Sequence, residues 1–407
     1  MALKADDTTT PEAMTTTEEK SLVVDDRVLP DSGLPTEMVE GVLDIANEGS
    51  GLLRPSFVAS DRDIYISASQ IRRFNLRTGD LIGGAARRPK ENERYWGLLK
   101  VETINGQEAR EMVERAEFED LLAVYPDSQI KLSTGKEPMT TRIMDLISPI
   151  GFGQRGLIVS PPKAGKTWLI RDIIAGIGKN HPDVMLMAVL IGERPEEVTD
   201  IKRHLEKATE GKGILAASNF DQDPEDQTRV GELALERAKR LVEGGSNVII
   251  VLDSITRMAR AYNLALPTSG RTLTGGFDPA ALQPAKKFFG AARNIENGGS
   301  LTIIGTCLIE TGSRMDDLIY EEFKGTGNME LHMTRKLAER RIFPAIDVSR
   351  SGTRQEELLY GEENLKKIHT LRRMLEMVPD DERTETLLER LSKTESNQDF
   401  LNSLKTV

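Results

Sequence analysis

The sequence predicts an α/β protein in which an open, mostly parallel sheet with helices on both faces follows a small β-barrel. Two observations favour this architecture. From about residue 136 onward, apolar strand-like runs alternate with amphipathic helical segments, which is the pattern of a parallel sheet covered by helices. Before that, residues 36–106 contain short strand-like runs separated by turn residues, which is typical of a small barrel.

The composition is that of an ordinary folded protein, with 38% hydrophobic and 29% charged residues. No apolar run reaches the length of a membrane-spanning helix, and the N-terminus lacks both a signal-peptide core and an Arg-rich targeting pattern. We therefore expect a cytoplasmic protein without a membrane partner. The single cysteine, Cys307, lies in the apolar run SLTIIGTCLI, where a buried thiol is expected rather than a nucleophile.

The net charge of -11 is unevenly distributed. Residues 1–40 carry three Lys or Arg against ten Asp or Glu, whereas residues 41–110 carry eleven against nine. Residues 1–35 also lack apolar periodicity, so we expect a disordered acidic tail. Residues 107–135 are polar with few apolar anchors and are interpreted as a connector, which leaves residues 136–407 for the second domain.

The predicted barrel carries a cluster of cations beside aromatic residues. Its strand-like runs are VEGVLDIA, GLLRP, DIYIS, GDLIGGAA and YWGLLKVETI, and Ser69 is predicted to cap a short helical turn after the third. Cations that follow phosphates, beside rings on which bases stack, suit a barrel that binds a single nucleic-acid strand. The alternative is a solvated basic face with its aromatic residues in the core. The residues concerned are Arg72, Arg73, Arg77, Arg87, Arg88, Lys90, Arg94, Tyr65, Tyr95 and Trp96.

The second domain contains GLIVSPPKAGKT at residues 156–167, an apolar strand followed by a loop that ends in Gly-Lys-Thr. This is the pattern of a phosphate-binding loop, except that Ser160 stands where GxxxxGK[ST] has its first glycine. Gly165 lets the backbone approach an anion, and Lys166 is expected to reach the β- and γ-phosphates. The Thr167 hydroxyl is a predicted ligand of Mg²⁺, which prefers oxygen donors.

Three charged residues occupy positions where residues of a catalytic site are expected. Asp253 ends the apolar strand NVIIVLD, where a role beside the metal is favoured over a simple helix cap. Glu193 lies near the end of MAVLIGER and either accepts a proton from the attacking water or is a favourable acid before a helix. Arg354, in SRSGTR, either completes the site of a neighbouring subunit or forms a surface ion pair.

Two loops with several glycines each place an arginine among small residues. They are LPTSGRTLTGGFD at residues 266–278 and TGSRMDD at residues 311–317. A flexible backbone with a cation suits contact with the phosphates or sugars of a strand, although in isolation either loop is equally well explained as ordinary surface. The C-terminal segments EENLKKIHTLRRMLEMV and ERTETLLERLSKT have the spacing of amphipathic helices, which we interpret as packing or subunit contacts.

Seven long segments follow one another along the chain: DIYISASQIRRFNLRTGD, SPIGFGQRGLIVSPPKAGKT, LIGERPEEVTD, VIIVLDSITRMARAYN, TGGFDPAALQPAKKFFGAARNIE, IYEEFKGTGNMELHM and RRIFPAIDVSRSGTRQEELL. On this collinear series the chain resembles the bacterial transcription termination factor Rho family, from about Val39 to the C-terminus. A general RecA-like ATPase would match only the phosphate loop and the Asp253 strand, so this set is specific. The resemblance implies a RecA-like P-loop ATPase domain preceded by an RNA-binding barrel of the OB-fold or cold-shock type.

The family resemblance further implies an RNA-dependent ATPase that forms a homohexameric ring. Such a ring binds nascent single-stranded RNA, threads it through its centre, hydrolyses ATP with Mg²⁺ between subunits, moves 5′ to 3′ and terminates transcription. RNA polymerase and elongation factors are the implied partners.

The resemblance also assigns roles to single residues. Glu193 is implied to position or deprotonate the water, Arg194 and Asp253 to support the site, and Arg354 to act in trans. The implied nucleotide-binding residues are Lys163, Ala164, Gly165, Lys166, Thr167, Trp168 and Phe343, with Thr167 and Asp253 on the metal. The implied RNA-binding residues are Arg54, Tyr65, Glu93, Arg94 and Tyr95 on the barrel, and Arg271, Thr274, Gly275 and Arg314 in the pore.

Some positions depart from the family pattern. The family's Gly-Phe-Gly-Phe-Leu-Arg reads Gly-Ser-Gly-Leu-Leu-Arg at residues 49–54, so Ser50 and Leu52 replace two stacking rings. Each lost base stack is worth about 1–3 kcal/mol, so we expect weaker RNA binding or weaker pyrimidine preference. Two alternatives to a termination motor are therefore kept: an RNA-binding scaffold with a vestigial motor, and a nucleotide-driven pump or rotary subunit of related fold.

Overall fold

The computed structural model of the chain describes residues 35–111 and 114–404. The acidic tail predicted over residues 1–35 lies, except for its last residue, outside the described residues. Within the described ranges, no helix is long and apolar enough to cross a membrane. Two sheets organise this part of the chain, one of six strands and one of nine.

The six-stranded sheet closes into a barrel. Its strands are β1 (Thr36–Ile45), β2 (Gly51–Arg54), β3 (Ile64–Ile66), β4 (Leu81–Arg87), β5 (Trp96–Ile104) and β6 (Gln107–Glu108), in the order β3-β2-β1-β4-β5-β6. β3 also pairs in parallel with β5, and this second pairing closes the barrel. Inward residues such as Leu43, Leu53 and Ile82 are fully buried. The small barrel predicted from the sequence is confirmed.

A short helix, α1 (Ala68–Arg73), follows β3. The expected cap at Ser69 is wrong, because Ser69 lies inside the helix. The N-cap is Ser67, whose side chain accepts from the Gln70 backbone while the Gln70 side chain accepts from the Ser67 backbone. This reciprocal pair is a capping box, and it satisfies two backbone N–H groups at once.

The nine-stranded sheet is mostly parallel. It contains β7 (Ala123–Val124), β8 (Arg155–Ser160), β9 (Met185–Glu193), β10 (Ile214–Asn219), β11 (Asn247–Asp253), β12 (Arg293–Ile295), β13 (Ser300–Leu308), β14 (Met329–Met333) and β15 (Ile346–Thr353). The main path is β10-β9-β11-β13-β8-β14-β15, and its neighbours are parallel up to β14, against which β15 returns antiparallel. Ile249, Ile250 and Val251 are fully buried, as expected where both faces of a sheet are covered.

Helices cover both faces of this sheet. They are α2 (Met139–Ile147), α3 (Lys166–Asn180), α4 (Pro195–Ala208), α5 (Pro224–Glu243), α6 (Ile255–Ala265), α7 (Pro279–Gly290), α8 (Arg314–Lys324), α9 (Arg335–Glu339), α10 (Glu357–Glu376), α11 (Arg383–Ser392) and α12 (Asn397–Ser403). One core contains residues of α5, α6 and α7, and a second contains residues of α2, α3, α4 and the C-terminal helices. The predicted α/β architecture is therefore confirmed.

Some element boundaries differ from the sequence-based expectation. The helix expected over ALQPAKKFFGAARNI ends at Gly290, because Arg293–Ile295 pairs with both β13 and β7 as a strand. The loop expected at residues 311–317 is shorter, since α8 begins at Arg314. In the segment interpreted as a connector, β7 joins the second sheet and Phe118 is 1% exposed.

The barrel packs directly against α5. Gly79, with φ of 90°, lies so close to this helix that a Cβ atom would come within 2.4 Å of the Glu236 backbone. Arg237 donates from Nη1 to the Asn105 side chain at 2.5 Å, and Arg77 pairs with Glu243 at 2.9 Å. Since α5 also packs on the second sheet, it connects the barrel to that sheet, and Arg115 of the following segment adds an ion pair to Asp80 of the barrel at 2.6 Å.

Candidate active site and nucleic-acid interface

The phosphate loop lies at the edge of the second sheet where the parallel strands end. β8 ends at Ser160, and the following loop leads into α3, whose N-cap Gly165 has φ of 98°. A positive φ favours glycine, and the backbone N–H groups of the first turn of α3 come directly after it. The N-terminus of a 15-residue helix at this position is suited to an anion such as a phosphate.

Two carboxylates from neighbouring strands share the ammonium of Lys166. Its Nζ donates to Asp253 Oδ1 at 2.5 Å and lies 3.7 Å from Glu193 Oε1. Asp253 Oδ1 also accepts a hydrogen bond from Thr306 of β13 at 2.7 Å. Burial lowers the pKa of Lys166, but the two carboxylates outweigh it, so this pKa lies above its ordinary value and the ammonium stays charged.

Glu193 is a buried carboxyl group, 2% exposed. Burial, together with the nearby Asp253, raises its pKa to about 7, while Lys166 and Arg257 oppose the shift. A general base works best when its pKa lies close to the working pH. The environment of Glu193 is therefore suited to accepting a proton from water.

Arg257 of α6 is a residue of this cluster that the sequence reasoning missed. Its Nε lies 2.9 Å from Glu193 Oε1, and its Nη1 donates to the Gly192 carbonyl at 2.7 Å. Arg194, which the resemblance placed in the site, is exposed at the start of α4 and pairs with Glu197 at 3.4 Å. Within one chain, the structure thus brings Arg257 to Glu193. The available signal was its position one turn into a helix that begins at the end of the Asp253 strand.

A cavity of about 450 Å³ lies beside the phosphate loop. Phe343, between α9 and β15, is 51% exposed and lines the cavity together with Trp168. A Cβ atom at Gly165 would lie 3.7 Å from the Phe343 ring, so the loop and the ring are neighbours. The other walls are Glu137, Pro138, Met139, Thr140, Ala164, Leu169, Asp172, Met333, Pro344 and Ala345. An aromatic wall beside a phosphate site suits a nucleotide base.

Arg354 lies at the opposite edge of the sheet. It directly follows β15, where Thr353 pairs with Met329, which pairs in turn with Gly156 at the start of β8. From Gly156 to Ser160, at the end of β8, the strand advances by about 13 Å. The phosphate loop is farther still, so Arg354 does not reach the phosphate loop of its own chain.

The two loops with several glycines contact each other. Gly275, with φ of 79°, lies against the start of α8, where a Cβ atom would come within 2.8 Å of the Met315 nitrogen. The contact leaves the predicted RNA-binding side chains Arg271, Thr274 and Arg314 exposed. The structure therefore forms one exposed, cationic surface from two segments that are far apart in sequence.

Helix α6 fixes the second of these loops. Arg260 Nε donates to Asp316 Oδ1 at 2.8 Å, and Thr311 donates to Asp316 Oδ2 at 2.7 Å. Arg257, which contacts Glu193, lies on the same helix, three residues earlier. The catalytic cluster and the loop surface are thus attached to one rigid element.

The barrel presents most of its predicted RNA-binding residues on the surface. Tyr65 is 45% exposed and lies opposite Leu52 in the β2–β3 pair. Arg94 stacks over the Tyr95 ring, 5.1 Å from its centroid. Glu93 is exposed and accepts two hydrogen bonds from Arg87, at 2.6 and 2.8 Å, which together with the Lys90 backbone lower its pKa to about 2.

Arg54 is held differently from the other barrel residues. Its side chain is only 13% exposed, and its Nε donates to Asp44 Oδ2 at 2.7 Å. Nη1 lies 3.5 Å from Asp63, a fully buried carboxyl group whose pKa is raised by burial. Arg54 is therefore a fixed guanidinium at the barrel surface, with its orientation set by two acids.

Comparisons with known proteins agree with both parts of this structure. Residues 140–353 match the ATP synthase alpha/beta family, nucleotide-binding domain, and residues 39–110 match the Rho termination factor, RNA-binding domain. A prototypical ATPase from the type III secretion system of pathogenic bacteria superposes with a TM-score of 0.55 at 25% identity, covering 75% of this chain and 93% of its own. The fold and the site define a RecA-like P-loop ATPase that carries an RNA-binding barrel.

Relatives with high identity cover nearly the whole chain. Transcription termination factor Rho of Bacillus subtilis is 57% identical over 90% of this chain and 84% of the relative. The Escherichia coli K12 protein of the same name is 53% identical over 90% of this chain and 87% of the relative. That of Thermotoga maritima is 53% identical over 89% of this chain and 84% of the relative. The chain belongs to the transcription termination factor Rho family. It is an RNA-dependent ATPase that acts in transcription termination.

Substitution of Gly275 tests the contact between the two loops. We expect Gly275→Ala to lower RNA-stimulated ATP turnover by about 10-fold or more, because the added Cβ displaces the loop from the start of α8. Gly276→Ala is the matched control: it has a similar φ of 81°, but nothing lies within 4 Å of its Cβ position. Equal losses in the two variants would show that backbone strain, and not the loop contact, is responsible.

Proposed function

We propose that the chain forms a homohexameric ring that threads nascent single-stranded RNA through its centre, moves 5′ to 3′ and releases the RNA from RNA polymerase in the cytoplasm. Elongation factors are further expected partners. The observation that carries the proposal is the position of Arg354, at the opposite edge of the sheet from Lys166. Each ATP site then needs an arginine from a neighbouring subunit, as expected for a ring ATPase.

We assign the chain to four segments. Residues 36–106 form the RNA-binding domain, residues 107–135 the connector and residues 136–407 the ATPase domain, after an acidic tail over residues 1–35. The burial of Phe118 and the pairing of β7 with β12 support a connector whose second half packs on the ATPase domain, while its first residues, in β6, pair with the barrel.

The residues around the phosphate loop contact different parts of the nucleotide. The Lys166 ammonium moves from the two carboxylates to the β- and γ-phosphates, which Lys163 and the backbone of Ala164 and Gly165 also contact. Phe343 stacks on the base in the cavity that it shares with Trp168. Glu193 accepts the proton of the attacking water and is oriented by Arg257. The exposed Arg194 is a candidate for contact across the subunit boundary.

The residues at this edge also fit a magnesium ion. Thr167 offers a hydroxyl at the start of α3, and Asp253 offers a carboxylate whose Oδ2 takes no part in the bonds to Lys166 and Thr306. Hydroxyl and carboxylate oxygens are the donors that Mg²⁺ prefers. When bound, the ion would neutralise charge on the phosphates, while Thr167 and Asp253 hold it beside Lys166.

ATP turnover with and without poly-pyrimidine RNA tests this function. We expect strong stimulation by RNA in the wild type and no turnover in Lys166→Ala, because the ammonium that contacts the phosphates is lost. Lys179→Ala, at the far end of α3, should behave as the wild type. Wild-type ATP turnover that RNA does not change would contradict the translocase function. A wild-type protein without any ATP turnover would favour an RNA-binding scaffold.

Arg354→Ala tests the shared ATP site. We expect turnover to fall by about 10³-fold, since arginines that act in trans contribute this much to phosphoryl transfer. Binding of a fluorescent ATP analogue should persist, because Lys166 and the base cavity belong to the other edge. Arg350→Ala removes another exposed arginine of β15 and should keep wild-type turnover. Normal turnover in the Arg354 variant would refute the role in trans.

Restoring rings to the barrel tests its role as the primary RNA site. Leu52 lies opposite Tyr65, so a phenylalanine there would extend the exposed aromatic surface. We expect Ser50→Phe with Leu52→Phe to tighten binding of pyrimidine oligomers by about 10-fold, measured by fluorescence anisotropy. Met38→Phe adds a ring at an exposed site elsewhere on the barrel and should change nothing. Unchanged affinity in the double variant would exclude this face.

A further inference from the structure

Asp44 is a carboxylate shared by the two domains. It lies on β1, is 6% exposed, and accepts from Arg54 through Oδ2 at 2.7 Å. Its other oxygen, Oδ1, accepts from Arg229 Nη2 of α5. A buried carboxylate bonded on both oxygens fixes both guanidinium groups relative to each other, because releasing either one leaves a buried charge with a lost partner.

The contacts continue from α5 to α6. Arg229 Nη1 donates to Glu232 Oε2 at 2.8 Å, and Tyr262 of α6 donates to Glu232 Oε1 at 3.3 Å. Tyr262 is 3% exposed whereas the Glu232 side chain is 43% exposed, so this bond lies at the solvent-facing rim of the interface between the two helices. Next to Glu232, Gly231 lets the helices approach closely, since a Cβ there would meet Met258 of α6 at 3.0 Å.

Closer to its N-terminus, α6 contacts both the Glu193 cluster and the loop surface. Arg257 contacts Glu193 at 2.9 Å, and Arg260 contacts Asp316 of the loop surface. A route of hydrogen bonds, ion pairs and packing contacts therefore runs from the barrel arginine to the Glu193 carboxyl group. Every step in it is a contact between described residues.

We propose that Asp44 and Arg229 are positioning residues that transmit RNA binding on the barrel to the ATP site. Asp44 orients Arg54 toward RNA, and Arg229 passes a change at Asp44 to α5, to α6 and so to Arg257 and Glu193. The inference rests on the proposed role of Arg54 in RNA binding. Coupling between two binding equilibria is reciprocal, so any effect of RNA on nucleotide affinity must be matched by an equal effect of nucleotide on the RNA affinity of the barrel.

Arg229→Gln interrupts the route without touching the RNA or the nucleotide. We expect the kcat of RNA-stimulated turnover to fall by about 10-fold, within the usual range of allosteric coupling. Turnover without RNA and the KM for ATP should keep their wild-type values, and the Kd for a labelled cytidine oligomer in the absence of nucleotide should rise by less than in Asp44→Asn, because Asp44 still holds Arg54 through Oδ2. An ATP analogue should also lose its effect on that Kd.

Lys239→Met is the matched control on the same helix. Lys239, whose side chain is 5% exposed against 37% for Arg229, bridges to Glu119 at 2.8 Å, outside the route. Its RNA stimulation should equal that of the wild type. Thermal unfolding and size-exclusion chromatography of both variants establish folding and assembly, and Arg229→Lys serves as a milder second variant that retains the charge. Equal RNA stimulation in Arg229→Gln and Lys239→Met would overturn the proposal.

Two more variants separate this inference from the function on which it rests. Arg54→Gln and Asp44→Asn should each weaken oligomer binding, by about 10-fold, because a hydrogen-bonded charge is lost. If Arg54→Gln leaves the Kd unchanged, the RNA role of Arg54 fails. If Arg54→Gln raises the Kd while Arg229→Gln keeps full stimulation of turnover by RNA, the RNA role of Arg54 holds and only the proposed route fails. Adding Arg229→Gln to Asp44→Asn should cost no further stimulation, since coupled residues are not additive.

Discussion

The shared ammonium of Lys166 is the interaction on which the catalytic half of the structure depends. It lies between Asp253 and Glu193, two acids that end neighbouring parallel strands. Without a cation between them, these two buried carboxylates would repel each other. The sheet register, the phosphate loop and the helix that follows are thus tied to one electrostatic arrangement. Nucleotide phosphates that attract the Lys166 ammonium would therefore remove the shared cation from both carboxylates at once.

Much of this cluster could be predicted from the sequence, because parallel strands end at a common edge and the residues that end them must lie close together. Lys166, Asp253 and Glu193 were placed in this way. The contacts that the sequence did not predict are set by tertiary packing, of which the local sequence pattern carries no sign. Arg257 is found only when the face of α6 that meets Glu193 is known. The Asp44–Arg229 contact joins positions 185 residues apart. The cap of α1 is different, since Ser67 and Gln70 carry the capping-box spacing, and that signal was overlooked.

Helix α5 gives the two domains a common support. Its backbone meets Gly79 of the barrel, its charged face contacts the barrel and connector, and its apolar face contributes to the core of the second sheet. Such an interface is stiff, because close backbone approach and buried ion pairs leave few alternative arrangements. The expected change of the RNA-binding surface at Ser50 and Leu52 therefore concerns a barrel whose placement on the second domain is well defined. Substitutions on that surface would alter what the barrel binds without altering the contacts that hold it to α5.

The antiparallel pair of β14 and β15 places two site candidates at opposite edges of the sheet. The segment between the two strands, which contains α9, brings Phe343 to the phosphate loop, and Arg354 follows the other end of β15. Subunits that shared ATP sites through these two edges, as proposed, would meet head to tail, which is a heterologous interface that produces closed rings or open helices. In a closed ring, complete sites equal subunits in number. An assembly with a gap has one site fewer, and a nucleotide bound beside the gap has no arginine to complete it. The count of competent sites therefore reports whether the assembly has closed.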